Sequence, residues 1–253
     1  MAWDPGQYLR FADHRARPGV ELMARIQHDE PELVVDLGCG PGNLTALLAE
    51  RWPRARVVGV DSSVEMIEAA RRDHPGIEWV VADIASWEPD QPVDVLYSNA
   101  TLHWLDDHPR LVPLIRSWLR PSGGTAAIQM PDNWWAPTHR VPADILDEGT
   151  WPQKAVEALM RDRLSAPENY RRWLQPASVD QWRTTYYQEL PGPDAVWNWV
   201  TGSLLRPVLT ALGDEDRNRF AADCKQRYAE AYPQDADGTV LLPFSRLFMV
   251  AAG

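Results

Sequence analysis

The spacing of apolar positions alternates between two periods through the first half of the chain. Residues 33–37, LVVDL, form a short apolar run that ends at a cluster of glycines, and residues 55–60, ARVVGV, are strand-like in the same way. Between them, Leu44, Leu47 and Leu48 fall on one face of a helix over 43–51. Ser62 opens a capping box with Glu65, and Val64, Ile67 and Ala70 give the next helix an apolar side. Two further strands are predicted at 77–81 and 93–97. A helix over 110–119 follows, with Pro113 expected in its first turn. Pro121, Gly123 and Gly124 then turn the chain into the strand TAAIQM. Strand and helix alternate five times, which predicts an α/β fold with a mostly parallel, Rossmann-like sheet and helices on both faces.

The pattern changes after Met130. Pro131, Pro137, Pro142, Pro152, Pro167 and Pro176 divide residues 131–178 into helical pieces, read as an insertion or lid. Residues 179–190 are strand-like. Phe220, Cys224, Tyr228 and Tyr232 recur every four residues along a helix whose first turn holds three acids. VLLPFSRLFMVAA forms the last strand. The expected organisation is one domain over 1–253. Residues 1–30 form an N-terminal lid, 31–130 a ligand-binding core, 131–178 a helical insertion, and 179–253 the C-terminal strands and substrate-side helices. The seven tryptophans between 134 and 199 are expected to build the core of the insertion.

Charge narrows the choice of partner. The formal net charge is -11, and no basic face is legible of the kind that tracks phosphates, which argues against nucleic acid and anionic membrane as partners. A few arginines in one pocket can still hold a small anionic substrate. Cys39 and Cys224 make neither a metal-spaced pair nor a disulfide framework, as expected for a reducing cytoplasm. The N-terminal string lacks a signal-peptide pattern, no apolar run reaches the length of a membrane span, and the six histidines lack zinc-type spacing. No metal is expected, and the oligomeric state is not legible.

The chemistry is concentrated in VVDLGCGPG, residues 34–42, where a predicted strand ends and a predicted helix begins. Gly38, Gly40 and Gly42 permit a tight turn with no Cβ between backbone and ligand. Asp61 ends the second strand 21 residues after Gly40, where an acid can accept hydrogen bonds from both ribose hydroxyls. A nicotinamide dinucleotide is the competing ligand. Two acids favour a cationic one. Asp36, two residues before the first glycine, would repel a pyrophosphate but attract a sulfonium. Asp83, at the end of the third strand, could bond the exocyclic amine of adenine.

VVDLGCGPG, VVGVDSS, VVADIASW and VLYSNATLHW, in this order and spacing, resemble the motif series of class I S-adenosylmethionine (SAM)-dependent methyltransferases over roughly residues 30–130. The resemblance implies SAM as cofactor and a seven-stranded sheet with an antiparallel final pair. It implies Asp36, Gly38 and Gly40 at the methionine end, Asp61 on the ribose, Ser62 and Met66 flanking the adenine, Asp83 and Ile84 at its edge, and Asn99 on the amino group. The flanking strings WDPGQYLRFADHRARP, LHWL, WNWVTGSLLRP and LLPFSRLFMVA resemble the branch of that family that esterifies a carboxylate of trans-aconitate, releasing S-adenosylhomocysteine. For such a reaction the nucleophile is ionised near neutral pH, so no general base is required. The candidates for holding the substrate carboxylates are Arg206, Arg15 and Arg17, with Tyr8 and Arg246 secondary; His103 and Trp104 are positioning candidates. Methylation of another small carboxylate or of a malonyl-carrier protein is the alternative within the enzyme class. A non-catalytic SAM-binding regulatory protein is the alternative outside it.

Overall fold

The five apolar runs become neighbouring strands of one sheet. In the computed structural model, which describes residues 16–159, 164–202 and 204–253, β1 (Leu33–Leu37) is buried at all five positions, as a strand covered on both faces requires. β2 (Arg56–Asp61), β3 (Glu78–Val81), β4 (Val95–Asn99) and β5 (Thr125–Pro131) join it in parallel pairs. Two strands of 14 residues, β6 (Ser178–Pro191) and β7 (Thr239–Ala252), complete a seven-stranded sheet of order β3-β2-β1-β4-β5-β7-β6. β7 runs antiparallel to β5, with Arg246 opposite Pro131 and Ala252 opposite Thr125. The strand order reverses direction between β1 and β4, and ligands of such sheets bind at the carboxyl ends beside that switch.

Helices α1 (Arg17–Ala24), α2 (Asn43–Arg51) and α3 (Val64–Asp73) belong to this half. The cap of α3 is Ser63, whose hydroxyl accepts the Met66 N–H at 3.3 Å, and not Ser62. Asp61 causes the shift: its carboxylate takes the Ser63 N–H at 2.9 Å and holds the chain extended one residue longer. The helix expected over 110–119 is α4 (His108–Ser117), launched two residues earlier from a left-handed Asp107. Pro113 therefore lies inside the helix and Pro109 occupies the first turn. β3 likewise stops at Val81, so Asp83 stands in the turn that follows.

The chain divides into two compact units. The first runs to Pro131 and adds Leu164–Thr184 and Arg246–Gly253; the second takes Asp132–Arg163 and Thr185–Ser245. Leu33, Val35, Leu37, Leu96, Ile128 and Met249 are buried at the centre of the first. The second is built by α5 (Pro137–Glu148), α6 (Gln153–Leu159), α8 (Ala195–Thr201), α9 (Arg206–Ala211) and α10 (Asp214–Ala231). Val141, Ile145, Val196, Phe220, Cys224 and Tyr228 form its core, so the four-residue repeat read in the sequence is the buried face of α10. Prolines begin helices here: Pro137 opens α5 and Pro167 opens α7 (Pro167–Trp173), a piece of the first unit. The tryptophans are shared between the units. Trp151 packs edge-on against Phe220 in the second, whereas Trp173 meets Tyr170 and Trp182 stacks on Phe248 in the first.

Ionic contacts fasten the amino ends of the strands. Buried Asp94 accepts the N–H groups of Glu32 and Leu33, each at 2.9 Å, and pairs with Arg120. Burial alone would raise its pKa, but the Arg120 guanidinium and the two amides outweigh that and hold it below the usual carboxylate range. At the outer edge Arg56 bridges Glu78 at 2.8 Å and Asp90 at 2.7 Å.

Candidate functional site

The glycine turn is held in place from two sides. The Gly38 and Cys39 N–H groups both donate to the Val60 carbonyl, at 2.7 and 3.1 Å, which ties the turn to the end of β2. Asp61 then closes the connection: one oxygen accepts the Gly40 N–H at 2.9 Å while the other accepts the Ser63 N–H. A carboxylate has about four acceptor positions, so Asp61 keeps capacity for a ligand after both backbone bonds. The Thr101 hydroxyl lies 3.1 Å from the Gly38 carbonyl and donates to it, bracing the turn from the loop after β4.

These elements surround a cleft of about 480 Å³, within the range of small-molecule sites. Gly38, Gly40, Asp61, Ser62, Met66, Asp83 and Ile84 line it together with Trp104. Met66 is 43% exposed and Trp104 51%; large apolar side chains left this open beside acids suit the faces of a flat ligand. Asp83 is exposed and anchored by accepting the Ala85 N–H at 2.9 Å. His103 shares the single-turn 3₁₀ helix Leu102–Trp104, its ring 4.8 Å from that of Trp104.

Two expected cofactor residues stand behind the cleft instead of lining it. Asp36 is buried in β1, where the Thr45 hydroxyl of α2 donates to it at 2.6 Å. Burial raises its pKa to about 7, and the charge of Asp61 adds to the rise against the lowering effect of Thr45. Asn99 ends β4, and its Oδ1 is buried with no partner among the described residues. Cys39 packs in a small cluster with Ile67, Ala70 and Trp79, and burial, with Asp36 and Asp61 nearby, pushes its thiol pKa up; it is not a nucleophile at neutral pH.

The expected substrate residues are distributed differently. Tyr8 and Arg15 lie outside the described residues. Arg17 begins α1 and pairs with Glu21 at 2.8 Å. Arg206 is exposed at the first position of α9, in the second unit. Arg246 belongs to the first unit and stands at the carboxyl edge of the sheet, opposite the last residue of β5. Sequence reasoning missed Thr101, Ser63 and Ala100, which also meet the cleft. Ala100 has a φ of +55°, unusual for a residue with a Cβ, and no local signal marks it, because only the closing of the β4 loop onto the turn demands it.

A family model described as a methyltransferase domain matches residues 34–123. The chain is 46% identical over 251 residues to a trans-aconitate 2-methyltransferase of Azoarcus sp. (strain BH72), covering 98% of both chains. It is 45% identical to a trans-aconitate 2-methyltransferase of Escherichia coli (strain 55989), covering 98% of this chain and 97% of that one. Among solved structures, an S-adenosylmethionine-dependent methyltransferase of Mesorhizobium loti superposes with a TM-score of 0.52 at 20% identity, covering 94% of this chain and 97% of that one; at that identity the likeness concerns the fold.

Proposed function

This chain belongs to the trans-aconitate 2-methyltransferase family of SAM-dependent enzymes, and from that premise we propose that it esterifies one carboxylate of trans-aconitate with the methyl group of SAM. The observation that carries the cofactor half is Asp61, which binds the glycine turn and faces the cleft with unused acceptor capacity.

The residues present fit SAM. A Cβ built on Gly40 meets no atom within 4 Å, so the backbone there is bare toward open space. Asp61 suits a ribose diol, Met66 and Ile84 an adenine face, and Asp83 an exocyclic amine. The orphaned Asn99 Oδ1 suits an ammonium. Bound SAM supplies a methyl activated by positive sulfur, which an ionised carboxylate takes directly, so no side chain has to remove a proton. The work left to this chain is alignment and exclusion of water. Trp104, exposed at the cleft with the His103 ring against it, suits a role in covering the reacting groups. A cytoplasmic setting agrees with two free, buried cysteines. Among the described residues no helix is long and apolar enough to cross a membrane.

Incubation with SAM and trans-aconitate is expected to yield S-adenosylhomocysteine and a monomethyl ester by mass spectrometry. A purified chain that binds SAM but methylates no di- or tricarboxylate contradicts the reading.

Asp36 adds a pH dependence. A carboxyl whose pKa is raised is neutral in the empty fold below about 7, and a cationic ligand favours its ionised form. SAM affinity is therefore expected to rise roughly tenfold from pH 6 to pH 8, with proton release on binding. Asp36→Asn should flatten the profile in calorimetry; a wild-type affinity independent of pH over that range removes Asp36 from the cofactor's surroundings.

A further inference from the structure

Two polar side chains at the carboxyl edge, Gln129 and Arg246, are left over once Asn99 is given to the cofactor. Asn99 of β4 stands in register with Gln129 of β5, and Gln129 with Phe248 of β7, two residues beyond Arg246. Side chains alternate between faces along a strand, so Asn99, Gln129 and Arg246 share one face with Tyr97 and Phe248. That face is the one under α1. The Tyr97 hydroxyl donates to the Gly19 carbonyl at 2.8 Å, and Phe248 stacks on Trp182, which lies beneath the Arg25 guanidinium.

Gln129 has no solvent-exposed surface. Its Oε1 accepts from the Arg246 Nη1 at 3.3 Å. A guanidinium can only donate, so this bond fixes which way the amide points. Nε2 is left as a buried donor with no partner among the described residues. Asn99 Oδ1, on the adjoining strand, is a buried acceptor in the same condition. Folded proteins pair nearly all their buried polar groups. Two orphans of opposite kind, side by side and next to a cation, are a deficit that a ligand can fill. The Gln129 donor and the Arg246 guanidinium together match an anion with two oxygens, since one carboxylate can accept from both.

We propose that Gln129 and Arg246 form the receptor for a carboxylate of the substrate that is not methylated. The proposal rests on the carboxylate-methyltransferase reading and adds the specificity residue, Gln129. An amide at this position donates to the anion while its oxygen orients the arginine. A glutamate would instead draw Arg246 into an ion pair and repel the ligand. Asn99 Oδ1 accepts from a donor such as the cofactor's amino group and is not part of the receptor.

Two variants separate this role from a structural one. Gln129→Glu keeps the volume and gains an ion pair with Arg246, so it folds, and its KM for trans-aconitate is expected to rise at least thirtyfold. Gln129→Leu removes the orphaned donor, so its thermal midpoint is expected to equal or exceed that of the wild type while KM rises at least tenfold. SAM affinity by calorimetry stays within twofold in both. Thermal shift with trans-aconitate or citrate, in the presence of S-adenosylhomocysteine, reads the receptor without turnover: the wild type is stabilised and Gln129→Glu is not. Equal stabilisation of the two, none in either, or a KM unchanged in Gln129→Glu overturns the receptor. A wild type that fails to methylate trans-aconitate, yet is stabilised by it only while Gln129 is intact, overturns the reaction and upholds the receptor.

Discussion

Asp61→Ala is expected to weaken SAM binding by about 1.5–3 kcal/mol, roughly ten- to hundredfold, for loss of hydrogen bonds to a charged group. The substitution removes more than a ligand contact. The same carboxylate holds the Gly40 and Ser63 N–H groups, so the glycine turn keeps its backbone bonds to Val60 but loses its side-chain tether to β2, and the first turn of α3 loses its lead-in. Part of the loss will therefore appear in the empty protein as lower resistance to urea. Asp61→Asn keeps one acceptor oxygen and should lose less stability than alanine, while still losing cofactor affinity. Calorimetry and urea unfolding on the three proteins separate the two contributions. An unchanged SAM affinity in Asp61→Ala would falsify the ribose role.

The glycines of the turn are expected to respond in opposite ways. Gly38 has a φ of +72°, and a Cβ there would lie 2.0 Å from the Thr101 methyl carbon. Left-handed strain costs about 1–2 kcal/mol, and forcing a methyl against a braced side chain adds about 1–3 kcal/mol. Gly38→Ala should thus lose roughly 2–5 kcal/mol of stability. Gly40 has a φ of +54° with nothing near its would-be Cβ. Gly40→Ala should lose only about 1–2 kcal/mol, and its damage should fall on SAM affinity because the methyl enters the cleft. Chemical denaturation and calorimetry together read this reversal. If Gly40→Ala bound SAM normally, the ligand would not approach the turn.

The elements that the sequence reveals are those whose physics is local. Five strands and the helices between them were legible because β1 to β5 and α2 to α4 carry their apolar period within a single element. The cleft was legible for the same reason. Gly38, Gly40, Asp61 and Asp83 each sit at or just beyond the end of a strand, and strand ends of a parallel sheet converge on one edge. What escaped depends on partners distant in the chain. Ser63 takes the cap because Asp61, held by the Gly40 N–H from 21 residues earlier, accepts the Ser63 N–H with its other oxygen. Gln129 reads as the interior of an apolar strand, and its meaning rests on Arg246, 117 residues away. Trp173 and Trp182 looked like insertion residues by position, but belong to the first unit because α7 and the start of β6 return to it.

Of the two edge strands of the sheet, β3 offers a neighbouring chain a template of only four residues, and the adjoining guanidinium of Arg56 is locked between Glu78 and Asp90. A short, charge-flanked rim is poor ground for a second molecule to dock strand against strand. Concentrated stocks near neutrality should accordingly show no association through this rim by light scattering.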